Sequence, residues 1–165
     1  MIEYWDVYDK NRNKIDKVVQ RGENLNEDEY HIVVCVWIRN EEGKFLISRR
    51  APNKKHPLLW EAGGGSALQN ETSLDAALRE VKEELGITLD PNKGKIFNST
   101  LRIYPNCSDI YDVWIFENNT SISDVILQKE EVCDAKWATI NEIKLLAESN
   151  QFDVNPFFEE VLQSK

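Results

Sequence analysis

The chain is poor in the residues that bind metals through sulfur or imidazole: its 165 residues include three cysteines and two histidines. Cys35, Cys107 and Cys133 are odd in number, far apart and without a Cys-x-x-Cys pair. That spacing excludes a zinc cluster and a disulfide framework. Cys35 lies in an apolar run and reads as a core residue. His31 and His56 are solitary and read as structural. No apolar run approaches the roughly 20 residues of a membrane span. The acidic start, Met1-Ile2-Glu3-Tyr4-Trp5-Asp6, carries no signal-peptide pattern. A cytoplasmic protein without a membrane partner is expected. With seven glycines and five prolines there is no flexible linker, and we find no repeat or low-complexity tract. A single domain spanning 1–165 is therefore expected. Positive charge is also short: 20 Lys and Arg against 29 Asp and Glu, a net charge of −9. That balance opposes binding to a nucleic acid polymer or an anionic membrane. It opposes a small anionic substrate as well, unless a bound divalent cation intervenes.

Strand signals dominate what is present. Residues 3–9 and 14–20 flank the polar turn Lys10-Asn11-Arg12-Asn13 and predict an N-terminal β-hairpin. His31 to Ile38 is apolar and β-branched, as in a buried strand, and Lys44 to Arg49 returns after the turn Asn40-Glu41-Glu42-Gly43. Further strands are expected near 94–103, 110–117 and 132–138, with helices over 73–85, 141–148 and 156–162. Strands and helices do not alternate regularly, so the fold class is α/β in the α+β sense: a mixed β-sheet between helices.

One segment carries chemistry. Residues 65–87 run Gly65, five residues, Glu71, seven residues, then Arg79-Glu80-Val81-Lys82-Glu83-Glu84-Leu85-Gly86-Ile87. Thr72 and Asp75 form a helix-starting capping box, and Gly86 is placed to stop the helix. Leu74, Ala77, Leu78, Val81 and Leu85 share one stripe, directed at the sheet. At 3.6 residues per turn, Glu80, Glu83 and Glu84 share an arc of roughly 100° beside that stripe. Three clustered carboxylates repel one another without a counter-charge. Their hard oxygens suit magnesium, with manganese as a substitute. A Glu-rich helix face is more often plain solvated surface. Here the fixed Arg79, Glu71 and the run Gly63-Gly64-Gly65 favour a built site.

The segment resembles the Nudix box, GX5EX7REUXEEXGU with U aliphatic, at every fixed position. Seven fixed letters at roughly 7% each coincide by chance about once in 10^8 windows. The resemblance covers roughly 31–148 as the Nudix core, leaving 1–20 as an extension, and implies the family's sheet-between-helices sandwich. It implies a hydrolase that cleaves a diphosphate linkage in a nucleoside diphosphate joined to another moiety X. It further implies metal ligation by Glu80, Glu83, Glu84 and the carbonyl of Gly64, with Arg79, Glu71 and Gly65 supporting them. The catalytic set is then Glu83, Glu80 and Arg79, with Glu131, before the strand at 132–138, as the favoured base outside the box. Arg49 and Arg50, with Lys54 and Lys55, form the chain's one basic cluster and are candidates to grip substrate. Tyr104, Tyr111, Trp37 and Trp114 read first as packing residues. The partner expected is a small diphosphate, with a homodimer left open.

Two alternatives remain. Glu3 to Asp9, His31-Ile32-Val33-Val34, Arg49-Arg50 and Leu59-Trp60-Glu61 resemble the branch that includes isopentenyl-diphosphate isomerase. That enzyme has a catalytic cysteine in the segment matching Gly63-Gly64-Gly65 and a metal-binding histidine soon after. This chain has glycines, then Ser66 and Ala67. A non-catalytic Nudix ligand-binding domain is the other alternative. Such domains lose box glutamates, and this chain keeps them.

Overall fold

The computed structural model describes residues 1–165. In chain order its elements are β1 (Tyr4–Tyr8), β2 (Lys14–Gln20), β3 (Tyr30–Arg39), β4 (Phe45–Arg50), β5 (Trp60–Glu61) and β6 (Gly64–Ser66), then helix α1 (Ser73–Leu85). β7 (Gly94–Arg102), β8 (Ser108–Glu117), β9 (Val132–Ala138), α2 (Ile140–Glu148) and α3 (Phe158–Gln163) follow. Short 3-10 turns at Pro91–Lys93 and Ile122–Asp124 were not legible in the sequence.

β3 is the axis of a nine-stranded mixed sheet. Its side chains alternate between two buried faces, which is why the segment reads as continuously apolar. Ile32, Val34, Val36 and Ile38 pack against Ala76, Ala77, Val81 and Leu85 of α1. Cys35 and Trp37 point the other way, toward Ile143 of α2 and Phe158, Val161 and Leu162 around α3. The helices thus cover both faces, as the expected architecture requires. Burying a single large side chain such as Phe45 or Phe116, both within 1% of full burial, contributes roughly 1.5–3 kcal/mol.

The edges of β3 create the split that becomes the site. One edge pairs in parallel with β8 along all of Tyr30 to Arg39. The other edge is divided: β1 meets it at Tyr30, β6 at Val33 to Cys35, and β4 at Ile38 and Arg39. β4 then diverges to pair with β5 and β9. A gap opens where β6 and β4 part.

β6, a short antiparallel strand, was not legible in the sequence. Three residues with two glycines carry no strand signal, yet glycine is what permits the pairing. A Cβ on Gly64, at φ 134°, would lie 1.9 Å from the Val34 carbonyl oxygen.

Helix α1 is fixed by local chemistry at both ends. The Thr72 hydroxyl accepts from the Asp75 amide at 3.1 Å, and the Asp75 carboxylate accepts from the Thr72 amide at 2.9 Å. Gly86, at φ 69°, ends the helix by donating its N–H to the Lys82 carbonyl at 3.0 Å.

Candidate active site

α1 carries its carboxylates to the gap beside β6, where Arg79 organises them. Its Nε and Nη2 donate to the two oxygens of Glu71 at 2.6 and 3.0 Å, and Nη2 also donates to the Ser66 carbonyl at 3.0 Å. Nη1 reaches Glu80 Oε1 at 3.0 Å and Glu83 Oε2 at 3.2 Å. One planar guanidinium therefore ties the loop before the helix, the end of β6 and two box glutamates together, a task its fixed fork suits. Glu71 is itself held by the Leu68 amide at 2.8 Å. Gly65 leaves room for the arrangement: a Cβ there would lie 2.3 Å from Glu80 Oε1.

Arg79 does not reach Glu84. Burial, then repulsion from Glu80, Glu61 and Glu131, pushes the Glu84 carboxyl up to about 9. Burial also raises Glu80, to about 7, although Arg79 opposes it.

The cleft holds about 280 Å³. Six carboxylates (Glu3, Glu61, Glu80, Glu83, Glu84, Glu131) face four cations (Arg21, Arg50, Lys54, Arg79) around it, and Gly64, Gly65 and Gln128 complete its wall. A larger depression of about 560 Å³ beside Arg39, Thr88 and Lys93 contains none of the box residues. Chemistry rather than size therefore identifies the site.

The donor set fits a hard divalent cation. The cleft has two more carboxylates than cations, its donors are oxygens, and Glu84, its most strained carboxyl, is in no salt bridge and is eased only by Lys54 across the cleft. No three acidic, imidazole or thiol groups converge on one point as the side chains stand. Arg79 accounts for this, since it takes an oxygen each from Glu80 and Glu83.

The remaining predicted residues divide. Glu131 reaches the cleft from a turn whose backbone is tied to the end of α1. The Ile126 and Gln128 amides donate to the Leu85 and Glu84 carbonyls at 2.9 and 3.0 Å, and the Glu131 amide donates to Gln128 at 2.9 Å. Its carboxylate pairs with Lys54. Arg50 enters the cleft and pairs with Glu61 at 2.9 Å. Arg49, expected beside it as a substrate grip, does not line the cleft. Its Nε donates to the Leu58 carbonyl at 3.0 Å and its guanidinium lies 5.8 Å from the Trp60 ring centre. Successive strand residues point to opposite faces, so the pair is divided.

Sequence reasoning missed Glu3, Arg21, Glu61 and Gln128. Glu3 and Arg21 were detectable as the pair that extends the hairpin register one step beyond Tyr4 and Gln20. The cysteines stay out of the cleft. Cys35 is buried and its thiol is pushed up to about 12 by that burial. Cys133 is exposed, and Cys107 lies 3.5 Å from Nε2 of His31. His31 is 4% exposed and stacks on Trp5 with ring centres 4.0 Å apart, the structural role expected of it.

Fold and box together describe one family. The NUDIX domain model matches residues 29–160. The chain is 40% identical over 153 residues to a Nudix hydrolase of Listeria monocytogenes, covering 92% of this chain and 88% of that one. It is 27% identical over 124 residues to an isopentenyl-diphosphate Delta-isomerase of Salmonella arizonae, covering 68% of this chain and 64% of that one. Among solved structures, DR0079 from Deinococcus radiodurans superposes with a TM-score of 0.74 at 19% identity, over 98% of each chain. The chain belongs to the Nudix family and is a Nudix hydrolase, in a branch with isomerase relatives. Its family acts on nucleoside diphosphate derivatives and generally needs a divalent metal.

Proposed function

We propose that this chain, acting as one Nudix domain, hydrolyses the diphosphate linkage of a nucleoside diphosphate joined to another moiety, with magnesium as the working cation and manganese as a substitute. The observation that carries the reading is the donor set of the cleft: six carboxylates face four cations, and Glu84, half-buried beside Glu80, is in no salt bridge. Glu80, Glu83, Glu84 and the Gly64 carbonyl would hold the metal. When bound, it would neutralise the phosphate oxygens, stabilise charge at the attacked phosphorus and acidify a water.

The protein's own groups have separable tasks in this reading. Arg79, anchored by Glu71 and the Ser66 carbonyl, takes one oxygen each from Glu80 and Glu83 and keeps these carboxylates at the cleft until a cation draws them in. Glu131, fixed by its turn across the cleft, accepts the proton of the attacking water once Lys54 turns to the substrate phosphate. Arg50 faces the same space and offers a second cation to the substrate.

The isomerase alternative is disfavoured by the cleft wall. A side chain at position 64 would strike the Val34 carbonyl, and one at position 65 would displace Glu80. The cysteine that chemistry requires is absent from Gly63-Gly64-Gly65. Intact box glutamates likewise disfavour a silent binding domain.

The test is a panel of nucleoside diphosphate derivatives and isopentenyl diphosphate, with magnesium or manganese, and products identified. Metal-dependent release of a nucleotide monophosphate or phosphate is expected. Replacing Glu83 or Glu84 with Gln should lower kcat by roughly 10^2–10^3 while the fold persists. An allylic product would support the isomerase, and binding without turnover would support the silent domain.

A further inference from the structure

The N-terminal hairpin lies outside the residues matched by the NUDIX domain model, yet it supplies part of the cleft wall. Its attachment to the box is specific. The Gln69 amide donates to the Tyr4 carbonyl at 2.8 Å, and the Asn70 amide donates to Asp6 Oδ2 at 2.7 Å. Asp6 is 4% exposed and also pairs with Lys14 at 2.9 Å. Trp5, Val7, Val19 and Leu25 give the hairpin a small core that packs on Leu68. These contacts fix the hairpin's end beside the loop that precedes Glu71. There the Arg21 amide donates to the Glu3 carbonyl at 2.9 Å, and both side chains face the cleft.

The four cleft cations differ in how firmly they are committed. Arg79 is spent on Glu71, Glu80, Glu83 and the Ser66 carbonyl. Arg50 is held by Glu61 and by the Lys55 carbonyl. Lys54 is paired with Glu131. Arg21 has one partner, a single Nη1 contact to Glu3 Oε2 at 2.5 Å, and its side chain is 57% exposed. Such a pair contributes little to stability, so exchanging it for another anion costs little. A phosphate offers several oxygens to the guanidinium fork where Glu3 now meets one nitrogen.

We propose that Arg21 is a substrate-binding residue: its guanidinium leaves Glu3 and grips the diphosphate of the substrate from the hairpin edge of the cleft. Glu3 stores the guanidinium at the rim between turnovers. The hairpin is then part of the active site, and the NUDIX-matched region alone presents an incomplete phosphate grip. This inference rests on the proposed diphosphate substrate.

The experiment measures inorganic pyrophosphate binding by calorimetry in magnesium, together with steady-state kinetics on the best substrate of the panel. It compares the parent chain with Arg21→Gln, Arg21→Lys, Glu3→Gln and, as an exposed control, Lys10→Gln. Arg21→Gln should weaken pyrophosphate binding and raise KM by about tenfold each, with kcat within about threefold. Arg21→Lys should fall between, since it keeps charge and loses the fork. Glu3→Gln should bind pyrophosphate at least as tightly as the parent, because a competitor is removed. Lys10→Gln should match the parent. Parental affinity and KM in Arg21→Gln, with Glu83→Gln still inactive, would overturn the role of Arg21 while leaving the hydrolase reading intact. Absence of both turnover and pyrophosphate binding in the parent chain would overturn both.

Discussion

Gly65 and Glu80 share one space: a Cβ on Gly65 would lie 2.3 Å from the Glu80 carboxylate, whereas a Cβ on Gly64 would meet the Val34 backbone at 1.9 Å. The two neighbouring glycines therefore predict different failures. Gly65→Ala meets only the end of a flexible side chain, so Glu80 swings away and the fold survives. Its kcat should fall about 10^2-fold with little change in melting temperature. Gly64→Ala forces a side chain into backbone at φ 134° and should cost roughly 2–3 kcal/mol in denaturant unfolding. The reverse pattern would mean that β6 does not hold the box glutamates as described.

Arg79 predicts a loss through geometry rather than charge. Arg79→Lys retains the positive charge but cannot reach Glu71, Ser66, Glu80 and Glu83 together. Its kcat should drop at least about tenfold, and metal affinity should fall with it. Parental kinetics in this variant would show that the fork is dispensable.

Glu84 and Glu80 make metal binding depend on pH. Their carboxyls, raised to about 9 and about 7, release protons when a cation takes the site. Apparent metal affinity should therefore rise with pH through 7 and level off above 9. In metal-free protein these groups favour the native state when protonated, so their contribution is present below the ordinary carboxylate range and is lost as pH rises toward 9. Glu84→Gln should raise the metal-free melting temperature at pH 8 and abolish its further rise on adding magnesium. A metal-free Glu84→Gln protein less stable than the parent would contradict this balance.

His31 acts in the opposite sense and in a different window. Burial, with Arg102 and Arg21 nearby, lowers its ring from 6.5 to about 4. Above 6.5 the ring is neutral in both folded and unfolded chains. As pH falls toward 4 only the unfolded chain gains the proton, so stability declines by at most about 3 kcal/mol. His31→Phe keeps a ring against Trp5 and removes this titration. Urea unfolding from pH 7 to pH 4 should show a shallower acid decline in that variant. Identical slopes would assign the decline to other groups.

The parts of the protein that were legible in its sequence are those built by near neighbours. Helix α1 runs over the expected 73–85 because Thr72, Asp75 and Gly86 fix its ends within a few residues. The box carboxylates were legible for the same reason, since one helix carries all three. β6 was hidden, because its glycines are selected by the approach of Val34 and not by strand propensity. Arg49 and Arg50 were indistinguishable until the sheet gave β4 an inside and an outside. Glu61 and Gln128 join the hairpin pair Glu3 and Arg21 only through long-range packing, which no local pattern encodes.

The central claim is that Glu80, Glu83 and Glu84 hold a divalent cation against the β6 glycines, and a crystal soaked in manganese tests it most directly. The account predicts an anomalous peak in the cleft, with oxygens of these glutamates drawn to about 2.1 Å from it and Arg79 still fastened to Glu71. A cleft without a peak, with Glu80 and Glu83 still turned to Arg79, would contradict it.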